Sequence, residues 1–263
     1  MPPESAFALP AFTLTVAGLF GLIVGSFLNV CIYRLPRHES VVFPASRCPS
    51  CGAAIRAWHN IPVLSYLVLG GRCASCRAPI GVQYPIVEAT TGALFVLHAW
   101  VLGPQALLFP RLLFCAALIV LFVVDLEHRR LPNVITLPGI PIGLAFSLVL
   151  PPGWWSALIG VVVGAGILWL VAEAYYRFRH EEGLGMGDVK MLAMIGAFLG
   201  WKLVLLTLVL SSFSGALMGL ALIVMGRGTL KYELPYGTFL ALAAGFASLF
   251  GAPLVDWYAA FYQ

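Results

Sequence analysis

Charge is what this chain has least of. Lys and Arg number 15 and Asp and Glu 11 in 263 residues, 10% together, against roughly a quarter in soluble domains. With 61% hydrophobic residues, such a chain cannot cover itself with polar surface. A soluble enzyme is excluded, and an all-α polytopic membrane protein is expected. No basic tail or cluster suited to a phosphate backbone occurs, so nucleic acid is not a partner. The net charge of +4 reports topology and contact with anionic membrane lipid. No glycine loop of the phosphate-cradling kind appears either. Met1 to Leu9 holds Glu4 and no positive n-region, unlike a cleaved signal peptide, so the first span is expected to be retained.

What is present is a series of apolar runs near the ~20 residues that cross a bilayer. They fall at about 9–33, 84–102, 107–125, 133–150, 154–176, 187–200, 202–225 and 236–261, with boundaries uncertain by ~2–4 residues. About eight transmembrane helices are expected, the sixth short enough for a half-span. The division is 1–33 as the first transmembrane helix, 34–83 as a small cytoplasmic zinc-binding domain and 84–263 as the transmembrane core. Basic residues in short loops stay cytoplasmic. With the N-terminus outside, thirteen of the fifteen fall on one side, and only Arg111 and Lys202 on the other. That bias assigns 34–83 to the cytoplasmic face of a multi-pass protein.

Cysteine is sparse, and four of the six are paired. Cys48-Pro-Ser-Cys51 and Cys73-Ala-Ser-Cys76 form two C-x-x-C knuckles, each offering two sulfurs to one tetrahedral ion. A reducing cytoplasm disfavours disulfides, and four protein ligands leave no open position for substrate. A structural zinc is expected, stapling a domain too small for a good core. Cys31 and Cys115 lie in spans and read as packing residues. Between the knuckles, Trp58 to Gly71 is too short to span and suits an interfacial segment.

Two carboxylates stand at cytoplasmic helix ends. Asp125 closes the third apolar run, and Asp188 opens the sixth within Gly183-Leu-Gly-Met-Gly-Asp-Val-Lys190. Glycines let the backbone turn tightly and approach another chain closely, aiming the carboxyl. Two aspartates from different spans on one side have the geometry for sharing a proton, as in aspartic proteolysis. Helix capping is the bland alternative. Asn29, an amide in the first span, reads as helix glue. Glu88 lies about one turn into the second span, where it either snorkels or has a task. The turn Lys231-Tyr-Glu-Leu-Pro-Tyr-Gly237 is placed to line the site's entrance.

Gly185-Met-Gly-Asp188-Val-Lys190 is similar to the GxGD signature of intramembrane aspartyl proteases. Together with Gly25-Ser-Phe-Leu-Asn-Val, Arg34-Leu-Pro36, the cysteine tetrad, Asn60-Ile-Pro-Val-Leu-Ser65, Tyr84-Pro-Ile-Val-Glu88 and Asp125 with Leu131-Pro132, it resembles the bacterial prepilin peptidase family over nearly the whole chain. The resemblance implies an inner-membrane enzyme with two activities. It would cleave the basic leader of type IV prepilins or pseudopilins, typically between Gly and Phe, then methylate the new N-terminal amine with S-adenosylmethionine. By matching motifs, Asp125 and Asp188 would be the catalytic pair, with Gly185, Gly187 and Lys190 as motif support. Cys48, Cys51, Cys73 and Cys76 would be the metal ligands, and Asn29, Arg34 and Glu88 candidates for methyl transfer or cofactor binding. Asn133 stands where members often carry Asp. Two rivals stay open: an ion or proton transporter, and a non-catalytic zinc-stapled assembly platform.

Overall fold

The computed structural model describes residues 11–180, 185–226 and 234–262. Glu4, Gly183 and the Lys231–Glu233 part of the proposed entrance lie outside the described residues. The elements are α1 (Ala11–Arg34), α2 (Leu64–Val68), α3 (Gln83–Leu102), α4 (Leu108–His128), α5 (Asn133–Phe146), α6 (Trp154–Arg179), α7 (Met186–Val224) and α8 (Tyr236–Ala259). No strand occurs among the described residues. All of these helices except α2 and α5 are long and apolar enough to cross a membrane. The chain is a multi-pass membrane protein.

The expected spans differ from these helices in two places. The fourth stops at Phe146: Ser147 caps it, its N–H donating to the Gly143 carbonyl, and a turn over 147–150 leads to Pro151 and Pro152. The sixth and seventh run together as α7, broken at Gly200, whose φ of 79° and ψ of 174° are non-helical. A side chain there would be strained by that φ and would also meet Pro152 Cβ at 2.8 Å.

By packing, the chain divides within α4 into 1–120 and 121–263. In the first unit α1 and α3 lie antiparallel. A Cβ at Gly21 would stand 2.8 Å from Gly92 Cα, and one at Gly25 2.8 Å from Glu88 Cα. In lipid there is no hydrophobic drive to pair helices, so such close backbone approach supplies the dispersion energy instead. The polar segment 35–82 follows α1 and carries two isolated antiparallel bridges, Arg47 with Ala54 and Arg72 with Pro79.

The second unit is built on the first half of α7, where Met191 to Gly200 are all buried. Glycines again set the contacts. A Cβ at Gly160 of α6 would lie 2.6 Å from the Gly196 carbonyl oxygen, and one at Gly164 2.8 Å from that of Leu192. The Gly160-x-x-x-Gly164 pair is therefore a packing motif, as its spacing indicates. On α5, Gly139 faces Met194 and Gly143 faces Ala197 and Phe198; Ser147 donates to the Ala197 carbonyl at 3.0 Å. Apolar residues left exposed on the same helices, such as Val162, Leu170 and Phe213, are what a bilayer would cover.

Candidate active site

Asp125 lies in the last turn of α4 and is only 5% exposed. Its Oδ2 accepts two hydrogen bonds from Thr238, one from the backbone N–H at 2.7 Å and one from Oγ1 at 3.0 Å. Thr238 belongs to the first turn of α8, where backbone N–H groups have no partner within the helix and form the positive end of its dipole. Gly237 makes this approach possible. A Cβ there would stand 3.0 Å from Asp125 Cγ and Oδ2 and equally close to Leu131 Cδ1. With Oδ2 committed as acceptor, Oδ1 is the oxygen left for a shared proton or a water.

Asp188 is the third residue of α7, half-buried, and its N–H donates to the Gly185 carbonyl at 3.1 Å. It lies within electrostatic reach of Asp125. Three helix ends, the C-terminus of α4 and the N-termini of α7 and α8, thus meet at the two carboxylates. The Gly187 position is explained by close approach: a Cβ there would meet Leu131 Cβ at 3.1 Å. Leu131 touches both Gly187 and Gly237 and so sets the spacing of the α7 and α8 starts. Gly185 has ordinary φ and ψ of −73° and 137°, so its place in the motif does not come from a tight turn. Lys190 Nζ donates to Asn133 Oδ1 at 3.0 Å, tying α7 to α5 behind the pair.

Thr238 escaped assignment as a functional residue from sequence, where Gly237 stands only as the end of the entrance turn and Leu131 only as part of a Leu-Pro motif. The signal was a hydroxyl residue just after Pro235 at a helix start, beside a glycine. Only the helix arrangement shows which carboxylate it serves.

The four cysteines also come together, their sulfurs all within 4.8 Å of one another. Cys48 and Cys76 Sγ are 3.8 Å apart, the edge of a tetrahedron drawn with metal–sulfur bonds of about 2.3 Å. The two knuckles are copies. Cys48 N–H donates to the Ala53 carbonyl and Ile55 N–H to that of Ser46; 25 residues on, Cys73 N–H donates to Ala78 and Ile80 N–H to Gly71. This ten-residue repeat, 46–55 and 71–80, is also visible in the sequence. Backbone N–H groups of Cys51 and Ser50 lower the Cys48 thiol from its ordinary range, and those of Cys76 and Ser75 bring Cys73 down to about 6. Cys76 receives the Ala78 N–H, but the crowded sulfurs of Cys51, Cys73 and Cys48 push it up to about 11. A cation at the centre would relieve that crowding in place of protons, and the four sulfurs lie close enough together to hold one.

In the same unit a cavity of about 680 Å³ is lined by, among others, Asn29, Arg34, His59, Tyr66, Tyr84 and Glu88. The three sequence candidates therefore share one space. Asn29 Nδ2 donates to the Tyr84 carbonyl at 3.0 Å, and Arg34 Nη1 and Nη2 hold the Ser40 and Pro44 carbonyls at 2.8 and 2.7 Å. Glu88 Oε2 accepts the Val63 N–H at 2.7 Å.

A multi-pass helical protein with two carboxylates gathered at three helix ends fits the class of membrane-embedded peptidases. The comparisons with known proteins agree. The description "Bacterial Peptidase A24 N-terminal domain" matches residues 19–102, and "Type IV leader peptidase family" matches residues 112–220. The chain is 39% identical to a prepilin leader peptidase/N-methyltransferase of Pseudomonas putida, covering 92% of each chain. It is 38% identical to one of Aeromonas hydrophila, covering 97% of each, and 36% identical to one of Burkholderia pseudomallei (strain 1026b), covering 95% of this chain and 90% of the other. No solved structure matches. The chain belongs to the type IV leader peptidase family.

Proposed function

We propose that this enzyme cleaves the leader of type IV prepilins or pseudopilins with Asp125 and Asp188, then methylates the exposed N-terminal amine. The observation that carries the reading is the meeting of the two aspartates, with Thr238 fixing one of them. Two interacting carboxylates in one site would share one proton. The ionised member takes a proton from water, whose oxygen attacks the scissile carbonyl, while the protonated member donates to the carbonyl oxygen. Collapse of the resulting diol breaks the C–N bond, and the leaving nitrogen takes the proton first removed from water. The pair acts as a unit, and both members are required.

The basic-residue bias supports an inner-membrane protein with its N-terminus outside and the aspartates at the cytoplasmic face. A prepilin helix could then arrive laterally through lipid while its basic leader stays in water. The protease core belongs to 84–263, with both aspartates after Val120. The segment 34–83 serves methyl transfer with α1 and the start of α3, its cysteines holding a structural zinc.

S-adenosylmethionine, when bound, would supply an electrophilic methyl group. The cavity volume falls within the roughly 300–1,000 Å³ of small-molecule sites, and its buried carboxylate and carbonyls suit a cationic ligand. Asn29, Arg34 and Glu88 would shape that site, and Tyr66 and Tyr84 would close it with aromatic surface.

The test is incubation of the purified protein with a prepilin-like peptide and S-adenosylmethionine, followed by mass spectrometry. Cleavage after Gly and a gain of one methyl on the new N-terminus are expected. An intact leader peptide across several sequences would refute the reading.

A further inference from the structure

Glu88 is a carboxylate without a counter-ion. It is 8% exposed, yet it lines the 680 Å³ cavity. No Lys, Arg or His pairs with it among the described residues. Arg34, Arg47 and His59 share the cavity, and none of them makes an ion pair with Glu88; Arg34 holds the Ser40 and Pro44 carbonyls with both terminal nitrogens. A charge taken out of water and left unpaired is costly, and such sites are completed by a cationic ligand. A metal is the wrong ligand here, because the cysteine tetrad is the only cluster of three or more ligating side chains among the described residues that could hold an ion.

The backbone around Glu88 is built for this carboxylate. Val63 has φ 60° and ψ −48°, and Leu64 N–H donates to the Pro62 carbonyl at 2.6 Å. That is the rarer, positive-φ form of the γ-turn, strained for any residue and most for a β-branched one. The turn directs the Val63 N–H onto Oε2 at 2.7 Å. Strain of this kind persists where surrounding structure over-determines it and gathers at functional sites. Opposite, Ser26 of α1 faces the same carboxyl, held there by the close approach of Gly25 to the Glu88 backbone. Oε2 is thus fixed by the backbone, and the carboxyl it belongs to lines the cavity.

We propose that Glu88 receives the α-ammonium of the cleaved substrate and takes its proton, so that the free amine can accept a methyl group. The inference rests on the methyltransferase reading above and deepens it. An N–H bond of the ammonium breaks and its proton passes to Glu88. The amine lone pair forms the new N–C bond to the methyl as the donor's S–C bond breaks, its electron pair staying on sulfur. The products are a protonated secondary amine and a neutral thioether, and Glu88 releases the proton to water on re-ionising. A chain still carrying its leader has no free amine at this residue, so the site accepts substrate only after cleavage.

The test is a binding measurement on the full-length protein in detergent. A short peptide beginning with Phe is titrated with its N-terminus free and with it acetylated, and S-adenosylmethionine is titrated separately. Wild type should prefer the free amine by at least ~10-fold, the order expected of one charge-assisted contact. Glu88→Gln keeps an acceptor for the Val63 N–H but removes the charge, and should reduce the preference to below about twofold. Glu88→Asp keeps the charge and should restore most of it. Retained preference in Glu88→Gln would overturn the proposal. So would loss in both variants, which marks a structural role, or loss of S-adenosylmethionine affinity with the amine preference intact, which moves Glu88 to the methyl donor. Absence of methylation by wild type on any cleaved peptide would instead refute the methyltransferase reading itself.

Discussion

Thr238→Val is the perturbation that isolates the contact the structure adds to the aspartate pair. Valine keeps the branched shape of threonine at a buried position and deletes only the hydroxyl. The Oγ1 bond to Asp125 Oδ2 at 3.0 Å is lost, while the backbone N–H bond at 2.7 Å remains. A hydrogen bond to a charged acceptor is worth about 1.5–3 kcal/mol. Since one of two donors survives, the lower half of that range applies. At about 1.4 kcal/mol per tenfold in rate, leader cleavage should slow roughly 10- to 40-fold. The loss should fall in kcat, because the contact acts on the reacting carboxylate and not on the bound leader. The assay is steady-state cleavage of a prepilin-like peptide in detergent, with thermal unfolding as the folding control. Thr238→Ser, which keeps the donor, should stay within about threefold of wild type. A folded Thr238→Val protein with wild-type kcat would refute the reasoning, as would Thr238→Ser falling as far as Thr238→Val.

Removing any one thiol should open the metal site: Cys73→Ser should abolish stoichiometric zinc, measured by elemental analysis, and lower the melting temperature of the protein. Gly196→Leu would drive a side chain into the Gly160 carbonyl of α6, and should destabilise the protein by more than the ~1–3 kcal/mol typical of overpacking, read as loss of folded protein in detergent. Asn133→Asp should turn the Lys190 hydrogen bond into an ion pair. Because that pair is exposed, stability should rise by no more than about 1 kcal/mol, and less at high salt, as read by thermal unfolding at two ionic strengths.

The all-helical membrane fold was legible because hydropathy over ~20 residues is a local property. The helix count was less so. Whether 187–200 and 202–225 are two elements or one depends on Gly200, whose φ of 79° is a backbone conformation that hydropathy over a window does not report. Asp125 and Asp188 could be named as a pair from their positions at apolar run ends. Thr238 could not, since its service to Asp125 spans 113 residues and depends on how α4 and α8 meet. Glu88 looked equally like a snorkelling side chain and a functional one. The Val63 turn that holds it comes from the polar segment, and no periodicity predicts that contact. The cysteines were legible as a cluster that could hold a metal, because C-x-x-C spacing is itself the geometry of a knuckle.

Asparagine preserves the shape of aspartate but cannot ionise or share the proton. The most direct measurement is therefore single-turnover cleavage of a prepilin-like peptide by wild type, Asp125→Asn and Asp188→Asn, each shown to be folded and to hold its metal. The two-aspartate account predicts cleavage by wild type and none detectable by either variant, with methylation of a pre-cleaved peptide retained in both. Cleavage at the wild-type rate by either folded variant would contradict it.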